Sequence, residues 1–148
     1  MLFFQACPQR FLTSPNGTVE SPGFPDTLKE KVRCKWTISA EPGYVILFTF
    51  DVWEVGLETD VSLPCDSNGV TAFVNMYDGE TTADIKLLGR YCARKRKPGI
   101  ITTTGNHLTV VFTIRNTVRN VDWVDIPVHK FNASYTSRKS DDPPEEQI

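Results

Sequence analysis

The chain has 148 residues, of which 40% are hydrophobic and 23% are charged, and its formal net charge is −2. This length suits one domain that buries its own core, and the weak negative charge argues against a general affinity for nucleic acid or for anionic membranes. No apolar run approaches the ~18 residues that a membrane helix needs, so the sequence predicts no direct membrane insertion of this domain.

The predicted elements are short strands separated by turns. In "YVILFTF" (44–50) alternate residues share one face, and "FVNMY" (73–77) and "LTVVFTI" (108–114) repeat this period of two, which is typical of strands. Turn dipeptides separate the strands, among them Pro-Gly at 22–23 and Asp-Gly at 78–79. Because helical periodicity is almost absent, the sequence predicts an all-β sandwich of antiparallel sheets.

The last predicted strand has the sequence KFNASY. Its alternation points Phe131, Ala133 and Tyr135 inward and leaves Asn132 on the solvent face. Asn132 begins an Asn-Ala-Ser sequon, and Asn16 begins an Asn-Gly-Thr sequon near the start of the chain. Both asparagines are therefore predicted N-glycosylation sites of a secreted chain.

The two ends of the chain are predicted to lie outside the domain. The segment 137–148 has no apolar residue before the final isoleucine and contains two prolines and four acidic residues, a composition typical of a solvated linker or tail. We therefore predict a domain at 7–136, a linker remnant at 1–6, and an acidic tail at 137–148 that is typical of a chain continuing into another module or an anchor.

The cysteines indicate the compartment. They lie at Cys7, Cys34, Cys65 and Cys92 and lack the closely spaced pairs that zinc sites use. Four cysteines allow three disulfide pairings, and the nearest-neighbour pairing closes two loops of equal separation, 27 residues each. Dispersed cysteines together with two sequons favour an oxidising, extracellular setting. Buried free thiols in a cytosolic protein are the alternative.

A series of motifs resembles the CUB domain family. In chain order the motifs are "SPGFP" (21–25), "CKWTI" (34–38), "YDG" (77–79), "LLGRYC" (87–92), "NHLTVVF" (106–112) and "FNASY" (131–135). The resemblance implies a jelly-roll-like sandwich of two antiparallel sheets with disulfides Cys7–Cys34 and Cys65–Cys92. It also implies an extracellular binding module, usually one of several in a larger secreted or membrane-anchored protein.

The resemblance also raises the question of calcium. Many CUB domains hold a calcium ion with one glutamate and two aspartates, and alignment of the motifs places these three positions at Gly56, Ala72 and Arg115. Calcium prefers about six to eight oxygen ligands, and none of these side chains supplies a carboxylate. The sequence therefore predicts no cofactor and no calcium at the family's usual site. Asp51 and Glu54 lie close enough in sequence to leave a rearranged site open.

Two connections, 54–71 and 115–130, are longer than the family's pattern. Loops on a rigid sandwich often form binding surfaces, and aromatic residues dominate interface energies. We therefore predict a partner-binding surface at the edge of the sandwich where these two connections lie. Its predicted residues are Trp53, Glu58, Asp60, Trp123 and Asp125. The alternative is that Trp123 folds over the edge of the core.

A basic segment is the second candidate binding site. The stretch "RYCARKRK" contains five basic residues, Arg90, Arg94, Lys95, Arg96 and Lys97. Clustered positive charge is a candidate site for heparan sulfate or for an acidic protein surface. A solvated loop without binding function is the alternative.

The sequence offers no candidate for catalysis. His107 and His129 have no neighbouring Ser, Cys or carboxylate motif, and no phosphate-binding loop appears, so we predict that the chain is not an enzyme. The predicted function is binding of an extracellular or cell-surface protein through loops at one edge of the sandwich. A glycosaminoglycan- or carbohydrate-binding module that uses Arg94–Lys97, and a structural spacer between modules, are the alternatives.

Overall fold

The computed structural model describes residues 5–7, 9–57, 64–65, 70–94 and 96–140. Within them the secondary structure is twelve strands and one 3-10 helix, Asp84–Lys86. The strands are β1 Gln5–Ala6, β2 Arg10–Leu12, β3 Asn16–Glu20, β4 Val32–Ser39, β5 Tyr44–Glu54, β6 Ala72–Tyr77, β7 Leu87–Tyr91, β8 Ile101–Thr102, β9 His107–Ile114, β10 Val118–Arg119, β11 Asp125–Ile126 and β12 Lys130–Lys139. The all-β prediction is confirmed. Among the described residues there is no helix of the length and hydrophobicity required to span a bilayer.

The strands form two sheets and a separate hairpin. The larger sheet has the order β1-β4-β9-β6-β7, with β2 also paired to β4, and the smaller sheet has the order β3-β12-β5-β8. Pairing is antiparallel except where β1 and β2 run parallel to β4 at one edge of the larger sheet. Strands β10 and β11 pair only with each other. The predicted two-sheet sandwich is therefore confirmed.

Alternation along the strands decides which side chains form the core. In β4, Val32, Cys34, Trp36 and Ile38 are buried in the core, and the register places each of them opposite a buried residue of β9. The two sheets thus close over one apolar layer, which is the arrangement expected for strands of period two.

One aromatic ring connects both sheets. Phe131 of β12 lies 5.6 Å from Phe50 of its own sheet, and 5.8 Å and 5.1 Å from Trp36 and Phe112 of the opposite sheet, always edge to face. Aromatic pairs in this geometry stabilise by about 0.5–1.5 kcal/mol beyond the burial of their surface. Phe131 itself has no exposed surface.

Both predicted disulfides are confirmed. Cys7 is bonded to Cys34 with a Cα–Cα distance of 4.9 Å, and Cys65 to Cys92 with 5.5 Å. Each bond closes a loop with a sequence separation of 27 residues, which corresponds to about 3.5 kcal/mol in the chain-entropy model. The first bond ties the segment before β2 to β4, and the second ties the segment before β6 to the end of β7.

The expected domain boundaries differ from the ends of the sheets. Gln5 and Ala6 pair with β4, although 1–6 was expected to be linker. At the other end β12 continues to Lys139, which pairs with Tyr44, so 137–139 belong to the smaller sheet rather than to the acidic tail. Backbone pairing overrides the polar composition here. Residues 1–4 and 141–148 lie outside the described residues.

We expect Phe131→Ala to lower the free energy of unfolding by about 3–5 kcal/mol, because it leaves a cavity between the sheets. Phe131→Leu is the control, since it keeps most of the apolar volume and is expected to cost much less. Denaturation in urea, followed by tryptophan fluorescence, measures both. Equal losses for the two variants would contradict the cavity as the main cause of the loss.

Candidate functional site

The candidate site lies at one end of the sandwich. The end of β5, the start of β6, the end of β9 and the start of β12 meet there, as shown by the pairing of Glu54 with Lys130 and of Ala72 with Ile114. We call the described connections at this end (54–57, 70–71, 92–94 and 115–129) the rim. The rim contains Trp123 and Asp125, two of the five residues predicted to bind a partner.

Trp53 is a core residue, so its prediction as a partner-binding residue was wrong. Only 7% of its surface is exposed, and its ring lies 4.8 Å from the ring of Phe50. Its indole Nε1 donates a hydrogen bond of 2.8 Å to the carbonyl of Ala93. This contact satisfies the polar atom of a buried tryptophan and attaches the segment after Cys92 to β5.

Arg94 joins three parts of the rim. Its Nε donates to the carbonyl oxygen of Gly56 at 2.9 Å, one terminal nitrogen contacts the carboxylate of Glu54 at 3.4 Å, and the other donates to the carbonyl of Val128. Its side chain is 22% exposed. A guanidinium suits this position because its fork of donors is rigid and permanently charged.

The five basic residues predicted as one patch are not one surface. Arg94 is engaged within the rim, whereas Arg90 lies on β7, where its Nε donates to Asn75 at 2.9 Å. Arg96 and Lys97 are exposed, and Lys95 lies outside the described residues. The single-patch prediction was therefore wrong, because residues close in sequence are separated here by the end of a strand and by the Cys92 bond.

The three positions aligned with the family's calcium ligands do not fit calcium. Gly56 has no side chain, Ala72 is fully buried in β6, and the guanidinium of Arg115 lies 5.0 Å from the ring of Phe73. The cation of Arg94 contacts the Gly56 carbonyl and the Glu54 carboxylate instead. In the described part of the chain no three His, Cys, Asp or Glu side chains are grouped so that they could hold a metal.

His129 is buried beneath the rim. Its Nδ1 accepts a hydrogen bond of 3.1 Å from the backbone N–H of Gly56. Burial, and then the charge of Arg94, lower the pKa of His129 to about 4. The ring is consequently neutral at neutral pH, and its Nε2 has no hydrogen-bond partner in the described structure. His129 therefore supports the rim through its contact with Gly56.

The β10–β11 hairpin projects from the rim. Trp123 is 77% exposed, which rules out the alternative that it covers the core. The side-chain oxygen of Asn120 accepts from the N–H groups of Asp122 and Val124 at 2.8 Å and 3.1 Å, and the carbonyl of Asn120 accepts from Trp123. These bonds hold Trp123 at φ 64°, a left-handed conformation that is costly for a bulky residue.

The hairpin combines apolar and charged groups. Val121 is 94% exposed and Val124 is also exposed. Arg119 contacts the carboxylate of Asp125 at 3.0 Å across the hairpin, and its guanidinium lies 6.0 Å from the ring of Trp123. A shallow cleft of about 390 Å³ is lined by Lys31, Asn116, Thr117, Arg119 and Trp123. Glu58 and Asp60, the other predicted binding residues, lie outside the described residues.

Both sequons lie on the outer face of the smaller sheet. Asn16 is exposed at the start of β3, and Asn132 of β12 is half-buried with its Nδ2 donating to Glu20 at 3.0 Å. Phe131, Ala133 and Tyr135 face the core as predicted. Glycosylation of the two asparagines stays a prediction.

The chain is similar to known proteins in both sequence and structure. The family model of the CUB domain matches residues 7–124. The chain is 31% identical to rat cubilin over 84% of its length and 33% identical to human neuropilin-2 over 67%, and it spans only 3% and 10% of those proteins. A solved MASP-1 CUB2 domain bound to Ca²⁺ superposes with a TM-score of 0.65 at 20% identity, covering 86% of this chain and 96% of that one. At this identity the structural likeness shows the fold alone.

We expect Arg94→Ala to lower the melting temperature by several degrees, because it removes a cation and leaves two rim carbonyls without their donor. Arg96→Ala is the matched control, since Arg96 is exposed on the same segment, and it is expected to change little. Differential scanning fluorimetry, with excess EDTA and with added calcium, measures both. A fall of several degrees with EDTA in the wild type would contradict the role assigned to Arg94.

The pKa of His129 predicts a pH dependence of stability. As the pH falls, the unfolded chain binds a proton near pH ~6.5 while the folded state resists until about 4. Stability present above pH ~6.5 is therefore lost progressively down to pH ~4, by at most about 3 kcal/mol. His129→Asn, which retains an acceptor for Gly56 but does not titrate, should flatten this part of the profile. Urea unfolding measures the free energy of unfolding at each pH. If this free energy changed with pH to the same extent in the wild type and in the variant, the assignment would be refuted.

Proposed function

Because the chain belongs to the CUB domain family, we propose that it is an extracellular module that binds another protein through its β10–β11 hairpin. CUB domains are non-catalytic binding modules, and the relatives include domains of receptors and of proteases. The chain covers a small part of those relatives, so their own partners are not transferred to it.

The observation that carries the proposal is the exposure of Trp123. A tryptophan that is 77% exposed keeps a large apolar surface in water, and in known interfaces such residues supply much of the binding energy once a partner covers them. The left-handed backbone at Trp123 is also costly for a bulky residue, although the side chain is not buried in the core. Both costs are reasonable for a residue whose contacts are completed by a partner.

The hairpin is also pre-organised. The two hydrogen bonds accepted by the Asn120 side chain and the Arg119–Asp125 contact fix the loop before a partner arrives. A fixed loop loses less conformational entropy on binding than a mobile one. Asp125 therefore helps to organise the hairpin. Glu58 and Asp60 stay predictions as partner-binding residues at the same edge.

The alternative through Arg94–Lys97 is less well supported. Arg94 spends its donors on the rim carbonyls, so it has little capacity left to bind sulfate or carboxylate groups of a ligand. A pure spacer would have no need for an exposed tryptophan in a costly backbone conformation. The protein-binding reading accounts for both features.

The test separates binding from folding. Trp123→Gly should keep or raise the melting temperature, because glycine adopts positive φ without the steric cost, and it should abolish partner capture. Phe11→Ala is the matched control, since Phe11 is an exposed aromatic residue, 68% accessible, on β2 rather than on the hairpin.

Proximity labelling on cultured cells with the whole ectodomain gives the readout. We expect a set of cell-surface proteins that is labelled by the wild type and by Phe11→Ala and is lost with Trp123→Gly. The same labelling for all three proteins would remove the hairpin from the proposal.

A further inference from the structure

The outer face of the larger sheet carries aligned basic side chains. In β4 the residues between the buried ones, Arg33 and Lys35, point away from the core. The register places Lys35 opposite Val111 of β9, Val111 opposite Asn75 of β6, and Asn75 opposite Arg90 of β7. A row of side chains with a cation at each end thus crosses four strands.

A second row lies beside the first. Phe73 of β6 is opposite Thr113, which is opposite Arg33. The guanidinium groups of Arg90 and Arg115 lie 5.9 Å and 5.0 Å from the ring of Phe73. Because neighbouring strands are about 4.8 Å apart, Arg33 is about two strand spacings from the phenylalanine. The four cations therefore occupy one compact area of the sheet.

This area lacks opposing charge on its own strands. The sequences of β4, β6, β7 and β9 contain no aspartate or glutamate, and neither Arg33 nor Lys35 forms an ion pair with any residue that the structure describes. Four of the 18 acidic residues of the chain lie in 141–148, so the preceding 140 residues carry 16 basic and 14 acidic residues. Residues 1–140 therefore have a formal net charge of +2, although that of the whole chain is −2.

We propose that this face, in which Arg33, Lys35 and Arg90 are the contact residues, binds a sulfated glycosaminoglycan. The face belongs to a sheet and its cations are spread across four strands, over about 14 Å, which suits an extended polyanion better than a single small anion. Guanidinium groups pair with planar and tetrahedral oxyanions through two donors at once. Release of condensed counterions from a linear polyanion supplies further affinity, as it does for nucleic acids.

Two further features fit this ligand. Lys31 and Arg119 line the cleft beside Trp123, and Lys31 lies two residues before Arg33, so basic side chains continue toward the hairpin. The sequons at Asn16 and Asn132 lie on the other sheet, so glycans there would not cover this face. The extracellular setting also favours a glycosaminoglycan over nucleic acid as the polyanion.

The experiment uses heparin as the probe and the full chain as the protein. Binding is measured by surface plasmon resonance on immobilised heparin over a range of salt concentrations. The test variant is Arg33→Gln with Lys35→Gln, and the matched control is Arg96→Gln with Lys97→Gln, which removes the same charge from an exposed loop. Arg90→Gln is a second test variant, and melting temperatures establish that all of them fold.

We expect the wild type to bind at physiological salt, the test variant to lose about tenfold in affinity, and the dependence of log K on log salt to fall by about two with the two lost cations. The loop control and Trp123→Gly should bind heparin like the wild type, the latter because Trp123 carries no charge and is not one of the proposed contact residues. Release of the wild type below physiological salt, or equal losses in test and control variants, would overturn the proposal. So would competition by polyglutamate as effective as that by heparin, which would indicate an acidic protein segment as the ligand.

Discussion

The edge-to-face contacts of Phe131 with rings from both sheets are the interaction on which the rest of the fold depends. Phe131 is in β12, the strand that lies between β3 and β5 in the smaller sheet, and its ring meets Trp36 and Phe112 of the larger one. Two and three residues before Phe131, His129 and Val128 contact Gly56 and Arg94, respectively. The core contacts of Phe131 and these rim contacts therefore lie within four consecutive residues of the chain.

The rim shows how a sandwich can organise its loops with a side chain. Arg94 contacts a carboxylate and two carbonyl oxygens, which are groups of the kind that a calcium ion would also bind. A guanidinium is covalently part of the chain, so its occupancy does not depend on the concentration of a free ion. A guanidinium also requires its acceptor atoms to lie close to one plane, whereas a calcium ion is surrounded by its ligands in three dimensions.

Much of the fold could be predicted because strand alternation and cysteine spacing are local signals. The strand around Phe48 and the inward set of β12 follow directly from period two. Trp53 was misassigned because a tryptophan beside an acidic residue resembles an interface residue, and its hydrogen bond to Ala93 joins residues 40 positions apart. The basic sheet face could not be predicted for the same reason: Lys35 and Arg90 come onto one face only through the register of four strands, whereas the basic cluster around Cys92 is divided by the fold.

The position of β12 has a consequence for how the molecule bears force. Ten residues of β12 pair with β5 on one side, and five of them pair with β3 on the other. Hydrogen bonds of an antiparallel ladder run perpendicular to the strands, so a pull on residue 140 along the strand would load these bonds together in shear. At the opposite end, tension entering before Cys7 would pass through a covalent bond into β4. Loads applied at the two ends would therefore enter different sheets, one through a ladder of hydrogen bonds and the other through a disulfide.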